Sequence, residues 1–112
     1  MRIDKELLKG STVILILTML DRRPMYGYEM LSEIEQASEG VFQFKEGTLY
    51  PILHALEANG YVESYWERTE TARQRKYYLI TDNGRRQLAA KRTEWVTFRS
   101  AVDQVIGEGG VS

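Results

Sequence analysis

A short apolar helix that stops at a glycine constrains the fold of this chain more than any other feature of its sequence. Leucine and isoleucine recur at helical spacing between Gly47 and Gly60, and Pro51 fits only near the start of a helix, where its missing N–H costs nothing. Gly60 suits a left-handed C-cap. Tyr61 to Trp66 then alternates as a strand does. The pattern predicts a helix over residues 46–59 that leads directly into a strand.

A second strand follows in a basic context. Tyr77 to Ile80 is rich in aromatic and β-branched residues, which favours a strand. Polar residues 67–75 separate it from the first strand. We therefore expect a β-hairpin with a long, flexible tip, and we place three cations at that tip: Arg73, Arg75 and Lys76.

The charge of the chain is unevenly distributed. The net charge of −1 gives no hint of a polyanionic partner, and residues 1–67 carry 6 basic against 11 acidic side chains. Residues 68–92, in contrast, carry 8 basic against 2 acidic. A local basic footprint matters more for phosphate binding than the total charge. A solvated surface is the alternative, but the basic segment coincides with the predicted hairpin, which favours nucleic acid.

Three further helices are predicted around this unit. Residues 5–21 carry apolar side chains on two faces, and Pro24 ends that helix. Residues 26–38 carry one apolar face. Residues 82–106 form a long helix with Thr81 as its candidate N-cap. The expected fold class is α+β and mostly α: a winged helix-turn-helix with a long C-terminal helix.

Apolar residues of the long helix recur at heptad spacing, with Lys91 as the exception. One helix cannot bury such a seam by itself, so we expect a homodimer in which the long helix packs on a second subunit and against the first helix. The predicted dimer interface comprises Leu8, Ile14, Leu88, Trp95, Phe98, Val102 and Val105. The corresponding division of the chain is a winged-helix DNA-binding domain over 1–81, a dimerisation helix over 82–107 and a disordered tail over 108–112.

The candidate DNA contacts lie at the start of the predicted 46–59 helix and on the hairpin, because a helix in the major groove presents its exposed N-terminal residues to base edges. Tyr26, at the start of the second helix, could hydrogen-bond a phosphate, or it could be an aromatic staple between the second and third helices. The predicted contacts are Tyr26, Lys45, Thr48, Tyr50, Pro51, His54, Arg73, Arg75 and Lys76.

Trp95 and Phe98 are also candidates for binding an effector. Two copies of Trp95 facing each other across a dimer axis could sandwich a flat molecule, so a small hydrophobic or aromatic ligand is a possible partner. Plain dimer packing is the more common role of an aromatic residue at helical spacing. Both interpretations remain open at this stage.

Catalysis finds little support in the sequence. The chain has a single histidine, no cysteine, no glycine-rich phosphate loop and no metal-ligand spacing, so we expect neither an enzyme nor a cofactor or metal. The apolar run over 13–17 is too short to cross a bilayer, and acidic residues stand where a leader peptide would be positive. We expect no membrane partner and a cytoplasmic location.

Three ordered motifs together resemble the PadR family of bacterial transcriptional regulators. YGYEM at 26–30 resembles the start of the family's second helix, GTLYP at 47–51 its recognition helix, and RKYY at 75–78 its wing. Thr81 and Gly84 then resemble the start of its last helix. The resemblance spans residues 10–90, and the short remainder is similar to the form with a single C-terminal dimerisation helix.

This resemblance implies a homodimer that binds double-stranded DNA at a pseudo-palindromic operator, usually as a repressor. In many members of the family, binding of an aromatic or drug-like ligand releases the DNA. It implies a ligand contact for Trp95. It also implies DNA contacts for Tyr26, Thr48, Tyr50, Arg73, Arg75 and Lys76. Two rival interpretations remain: a winged-helix module that binds protein without DNA, and a small-molecule-binding module whose wing is incidental.

Overall fold

A computed structural model of the chain describes residues 10–71 and 73–107. Within those residues, four helices pack with a three-stranded antiparallel sheet of order β1-β3-β2. The elements are α1 (Thr12–Arg22), β1 (Met25–Tyr26), α2 (Gly27–Ala37), α3 (Glu46–Ala58), β2 (Val62–Arg68), β3 (Gln74–Ile80) and α4 (Asp82–Ile106). This is the predicted fold class, a mostly helical winged helix-turn-helix with a long last helix.

One hydrophobic core joins all of these elements. Each fully buried aliphatic side chain contributes about 1.5–3 kcal/mol relative to exposure, so the core sets the relative positions of the helices. Its buried members are Ile16, Leu17, Met19, Leu20, Met25, Met30, Ile34, Leu49, Leu53, Leu56, Val62, Tyr78, Ile80 and Leu88. The first helix begins at Thr12 after a turn at Gly10 and Ser11, and residues 5–9 of the predicted helix lie outside the described residues.

A strand that the sequence reading did not predict precedes α2. Met25 and Tyr26 form β1 and pair antiparallel with Tyr78 and Tyr77 of β3, respectively. Two residues are too few to show a period of two, so a strand this short has no signature in the sequence. Its consequence is that the start of α2 is attached to the middle strand of the sheet.

The hairpin has longer strands and a shorter tip than the sequence predicted. β2 and β3 are paired along all seven residues of each strand, and the Thr69 N–H donates to the Arg73 carbonyl oxygen across the tip at 2.8 Å. The expectation of three cations in a flexible tip is therefore wrong for Arg75 and Lys76, which lie within β3. Backbone pairing extends the strands through a segment in which polar and apolar side chains do not clearly alternate.

The start of α4 is fixed by two residues that the sequence had singled out. The Thr81 hydroxyl accepts a hydrogen bond from the Gly84 N–H at 2.9 Å and donates one to the Gly60 carbonyl oxygen at 2.7 Å. Gly60 has the expected left-handed backbone, with φ of 77°. A Cβ on Gly84 would overlap the Tyr61 carbonyl oxygen, so α4 approaches the hairpin as closely as only glycine allows.

Only the first part of α4 belongs to the domain core. Leu88, which the heptad pattern assigned to the dimer interface, is 2% exposed and packs inside its own chain. Because it has no surface left for a partner, it is removed from the predicted interface. The helix then continues to Ile106 and ends at Gly107, whose φ is 86°. The predicted tail 108–112, like Leu8, lies outside the described residues.

Candidate nucleic-acid interface

The first three turns of α3 present an exposed surface on the side away from the core. Three leucines on one side of this helix are buried in the core. Thr48, Pro51 and His54 lie one helical turn apart on the other side, and all three are exposed. Lys45, at the N-cap of α3, is exposed as well. The arrangement puts the predicted base-reading residues where a major groove could meet them.

Pro51 lies deeper in α3 than expected. It is the sixth residue of the helix, in the second turn, whereas its chemistry suggested the first. Proline has no N–H, so the hydrogen bond that would reach the Gly47 carbonyl is missing. Because Gly47 is exposed, solvent can hydrate that carbonyl. The proline ring itself faces outward.

Tyr50 does not project away from the core with its neighbours, as the sequence reading expected. It is half-buried and packs against the core, with its hydroxyl oxygen in the space that a Cβ on Gly27 would occupy. Burial, together with the charges of Glu46 and an ionised Tyr78, raises the pKa of the Tyr50 hydroxyl. The side chain joins α3 to the first residue of α2, so only the exposed edge of the Tyr50 ring is left for a DNA contact.

Acidic residues beside the start of α2 are neutralised within the chain. Arg23 forms ion pairs with Glu29 and with Glu33, the latter at 2.8 Å. The hydrogen bond to Glu29, followed by the charges of both carboxylates, raises the pKa of the Arg23 guanidinium. Glu29 also accepts a hydrogen bond from the Tyr26 N–H at 3.4 Å. These pairings reduce the repulsion that two free carboxylates would exert on an approaching phosphate.

An aromatic ladder crosses the outer face of the sheet. Tyr26, Tyr77 and Tyr65 stand opposite one another on β1, β3 and β2. The Tyr26 and Tyr77 rings meet edge to face with centroids 5.5 Å apart, and the Tyr77 and Tyr65 rings stack at 5.6 Å. Tyr26 therefore ties the start of α2 to the wing through β3, whereas the sequence predicts either a phosphate contact or a staple to the third helix.

The three wing cations occupy different environments. Arg73 is exposed at the tip. The Arg75 Cζ lies 4.4 Å from the centroid of the Tyr26 ring, and the Lys76 Nζ lies 5.5 Å from that of Tyr78 on the opposite face of β3. Within residues 10–71 and 73–107, none of the three cations forms an ion pair. Their charges are available to an external anion.

Trp66 is an exposed residue of the wing that the sequence reading did not assign to the interface. It stands opposite Lys76 in the hairpin and is 63% exposed. The preceding residue on the same face of β2, Ser64, donates a hydrogen bond to the Glu57 carboxylate of α3 at 2.6 Å. Trp66 therefore lies on the face of the wing that adjoins α3. A large aromatic residue directly before the charged residues Glu67 and Arg68 was the available signal.

An apolar surface lies on the projecting part of α4. Trp95 and Phe98 are 38% and 57% exposed, and their rings stack with centroids 6.1 Å apart. Val102 and Val105 are exposed further along the helix. Beside the two rings is an open cavity of about 420 Å³, whose described lining is Gly10, Ser11, Ile14, Lys91, Glu94, Trp95 and Phe98. Ile14, another residue of the predicted interface, is half-buried there.

Comparison with known proteins favours a DNA-binding regulator over a module that does not bind DNA. A model of the PadR-like family of transcriptional regulators matches residues 16–90, which include α2, α3 and the hairpin. The chain belongs to the PadR-like family. A PadR-like chain is a DNA-binding transcriptional regulator and not an enzyme. In this winged-helix fold, α3 takes the position of the recognition helix and the β2–β3 hairpin takes that of the wing.

Relatives of similar length support this assignment. An uncharacterized protein of Lysinibacillus sphaericus is 31% identical over 101 residues, which cover 90% of this chain and 93% of that protein. A transcriptional regulator from Clostridium thermocellum is 32% identical, with a TM-score of 0.83 over 89% of this chain and 97% of its own. A PadR family regulator from Eggerthella lenta is 34% identical, with a TM-score of 0.75 over 90% and 82%.

Two other features are absent from the described residues of this PadR-like chain. Within residues 10–71 and 73–107, no group of three or more histidine, aspartate or glutamate side chains could hold a metal ion. The helices of the same residues include none with the length and apolar character that crossing a membrane requires.

Proposed function

We propose that this PadR-like chain is a homodimeric repressor that binds a pseudo-palindromic operator. One observation carries the DNA-binding mode: a continuous series of contacts joins the wing to the recognition helix. Arg75 of β3 lies on the Tyr26 ring, and Tyr26 precedes Gly27, against which Tyr50 of α3 packs. These contacts fix the wing relative to the recognition helix, which supports a DNA-binding surface to which both elements contribute.

On this surface the residues divide by chemistry. The exposed side chains at the start of α3 are suited to base edges, because a hydroxyl, an imidazole and an apolar ring can each discriminate among groups in the major groove. The cations are suited to phosphates, which hold the protein in register without reading sequence. We assign base contacts to Thr48, Pro51 and His54, and backbone contacts to Lys45, Tyr50, Arg73, Arg75 and Lys76. Tyr26 contributes to the same surface through its contact with Arg75.

Dimerisation is proposed from the projecting part of α4. An isolated chain would expose Trp95, Phe98, Val102 and Val105 along one side of this helix, and contiguous apolar surfaces of that kind usually mark an interface. A second copy that packs here, and against Ile14 of α1, would bury them. The two recognition helices would then enter successive major grooves about 34 Å apart.

An effector can act in such a dimer only by favouring a geometry with the wrong spacing between the recognition helices. The cavity beside Trp95 and Phe98 offers flat apolar walls, while Lys91 and Glu94 stand at its polar side. We propose that a small aromatic molecule stacks on these rings at the subunit interface and releases the operator. Since operators are chromosomal, we place the protein in the cytoplasm.

The DNA-binding mode is tested by fluorescence anisotropy with the duplex upstream of the protein's own gene, a scrambled duplex and a series of salt concentrations. Tight, sequence-dependent binding with a steep salt dependence is expected. Arg75→Ala should weaken binding to every sequence and reduce the slope of log K against log salt by about one unit for each subunit. Arg99→Ala, which removes the same charge from α4, is the matched control and should leave the slope unchanged. An unaltered slope in Arg75→Ala would refute the wing assignment.

The effector site is tested first on the free protein and then with the operator. Trp66→Phe leaves Trp95 as the single tryptophan, and proflavine serves as a flat aromatic probe. Saturable quenching that Phe98→Ala weakens is the expected result in the free protein. Because proflavine also intercalates into DNA, loss of operator binding supports the site only to the extent that Phe98→Ala reduces that loss. Quenching without any effect on operator binding would leave a pocket with no regulatory role.

A further inference from the structure

The Arg75 guanidinium lies over the face of a ring that also packs against the sheet. Its Cζ is 4.4 Å from the Tyr26 centroid, within the range of a cation–π contact. The Tyr26 ring packs against the Tyr77 ring at 5.5 Å, and its backbone pairs with β3 at that same residue. Arg75 therefore rests on a support that belongs to the sheet and not to the hairpin tip.

The stacked guanidinium keeps its hydrogen-bonding groups free. Arginine stacks through its flat face and directs its N–H donors outward in the plane. In the described part of the chain, Arg75 forms no ion pair and no side-chain hydrogen bond, although Glu67 stands opposite it in the hairpin. The cation is therefore oriented by an aromatic face and remains unneutralised by a carboxylate.

We propose that Tyr26 is a positioning residue: its ring holds the Arg75 guanidinium in the orientation in which it contacts a DNA phosphate. A flexible arginine loses rotamer freedom when it binds, and a support that restricts it beforehand reduces that loss. This inference rests on the proposed DNA contact of Arg75. If the proposal is correct, the ring of Tyr26 is the group that contributes to DNA affinity. If Tyr26 instead donated a hydrogen bond to a phosphate, its hydroxyl would be that group.

Ring and hydroxyl are separated by two substitutions, measured as operator affinity by anisotropy. Tyr26→Phe retains the ring and should bind within twofold of the parent protein. Tyr26→Leu removes it and should lose about fivefold in affinity, the strength of an exposed cation–π contact. The loss should disappear in the Arg75→Ala background, because the two residues act through one contact. Equal losses in Tyr26→Phe and Tyr26→Leu, or additive losses with Arg75→Ala, would overturn the proposal.

Two controls separate positioning from a general effect on the wing. Tyr65→Leu removes the other end of the aromatic ladder but not the ring beneath Arg75, so its effect should be small and additive with Arg75→Ala. Arg75→Lys keeps the charge and leaves Tyr26 unchanged, so it applies even if Tyr26→Leu does not fold. It should weaken binding while preserving the salt slope. Full affinity in Arg75→Lys would show that orientation is unimportant.

A measurement without DNA distinguishes failure of this proposal from failure of the proposed function. Ring currents should move the side-chain proton resonances of Arg75 upfield in the free parent protein, in Tyr26→Phe and in Tyr65→Leu, and the shift should be lost in Tyr26→Leu. Absence of the shift in the parent protein would overturn the support itself. A normal shift in a protein that binds no DNA would overturn the proposed function, and with it the phosphate role of Arg75, while the support would stand.

Discussion

The hydroxyl oxygen of Tyr50 occupies the space that a Cβ on Gly27 would need. Gly27 is the first residue of α2, and Tyr50 lies in the recognition helix α3. The two helices approach each other at the end where both begin, and only a residue without a side chain permits that approach. Gly27 of the YGYEM motif and Tyr50 of the GTLYP motif therefore belong to one contact.

Gly27→Ala is expected to destabilise the fold by about 1–3 kcal/mol, the usual cost of inserting a methyl group into packed structure. Tyr50→Phe removes the overlapping oxygen, so the double variant should recover part of the loss. The free energy of unfolding from urea titrations measures both effects. Gly47→Ala is the matched control: a Cβ there meets no atom within 4 Å, and helix propensity predicts a gain of about 0.5–1 kcal/mol. Equal losses in the two alanine variants would contradict the contact.

The cap of α4 gives a second prediction. Thr81→Val keeps the shape of the side chain but loses the bonds to Gly84 and Gly60, so the free energy of unfolding should fall by about 1–2 kcal/mol. Thr81→Ser should retain most of the stability. Thr93→Val, which removes a hydroxyl bonded to the Ala89 carbonyl on the exposed side of the same helix, should change it by less than about 0.5 kcal/mol. Thermal denaturation of the three variants measures these differences in stability.

Stability should also decline in alkali because of two tyrosines. Burial, followed by the charge of Glu57, raises the pKa of Tyr78, and burial, followed by that of Glu46, raises the pKa of Tyr50 above the ordinary 10.0. As pH rises, the unfolded chain loses these protons first, so the contribution of the two hydroxyls to the free energy of unfolding is constant below about pH 10 and falls above it. The Tyr50→Phe/Tyr78→Phe protein should show a shallower fall in urea titrations between pH 8 and 11. Parallel curves for the two proteins would exclude these hydroxyls as the cause.

The proposed dimer is tested with charges on α4. Val105 is 86% exposed in the single chain, so Val105→Glu should not disturb the domain, yet it should prevent a second copy from packing there. We expect a monomer by light scattering, unchanged helicity by circular dichroism, and operator affinity lower by about a hundredfold because bivalent binding is lost. Ser100→Glu places the same charge on the opposite side of α4 and should remain dimeric. A dimeric Val105→Glu would show that the subunits meet elsewhere.

The sequence by itself determined the elements whose causes are local. The apolar spacing of α3 depends on residues within a few turns, and its three leucines are buried as the period predicted. The cap at Thr81 and the left-handed Gly60 depend on immediate neighbours and were recognised for the same reason. The basic segment and the motif order were equally visible, and they indicated the family.

Only the tertiary structure decided which side chains meet across the fold. The strand at Tyr26 exists because β3, about fifty residues later in the chain, pairs with it. That pairing sets Arg75 over an aromatic ring and removes it from the tip. Tyr50 turned inward beneath Gly27, and Leu88 entered the core instead of the seam. Each outcome depends on partners distant in sequence, whose approach is set by packing of the whole domain, and local periodicity does not contain that information.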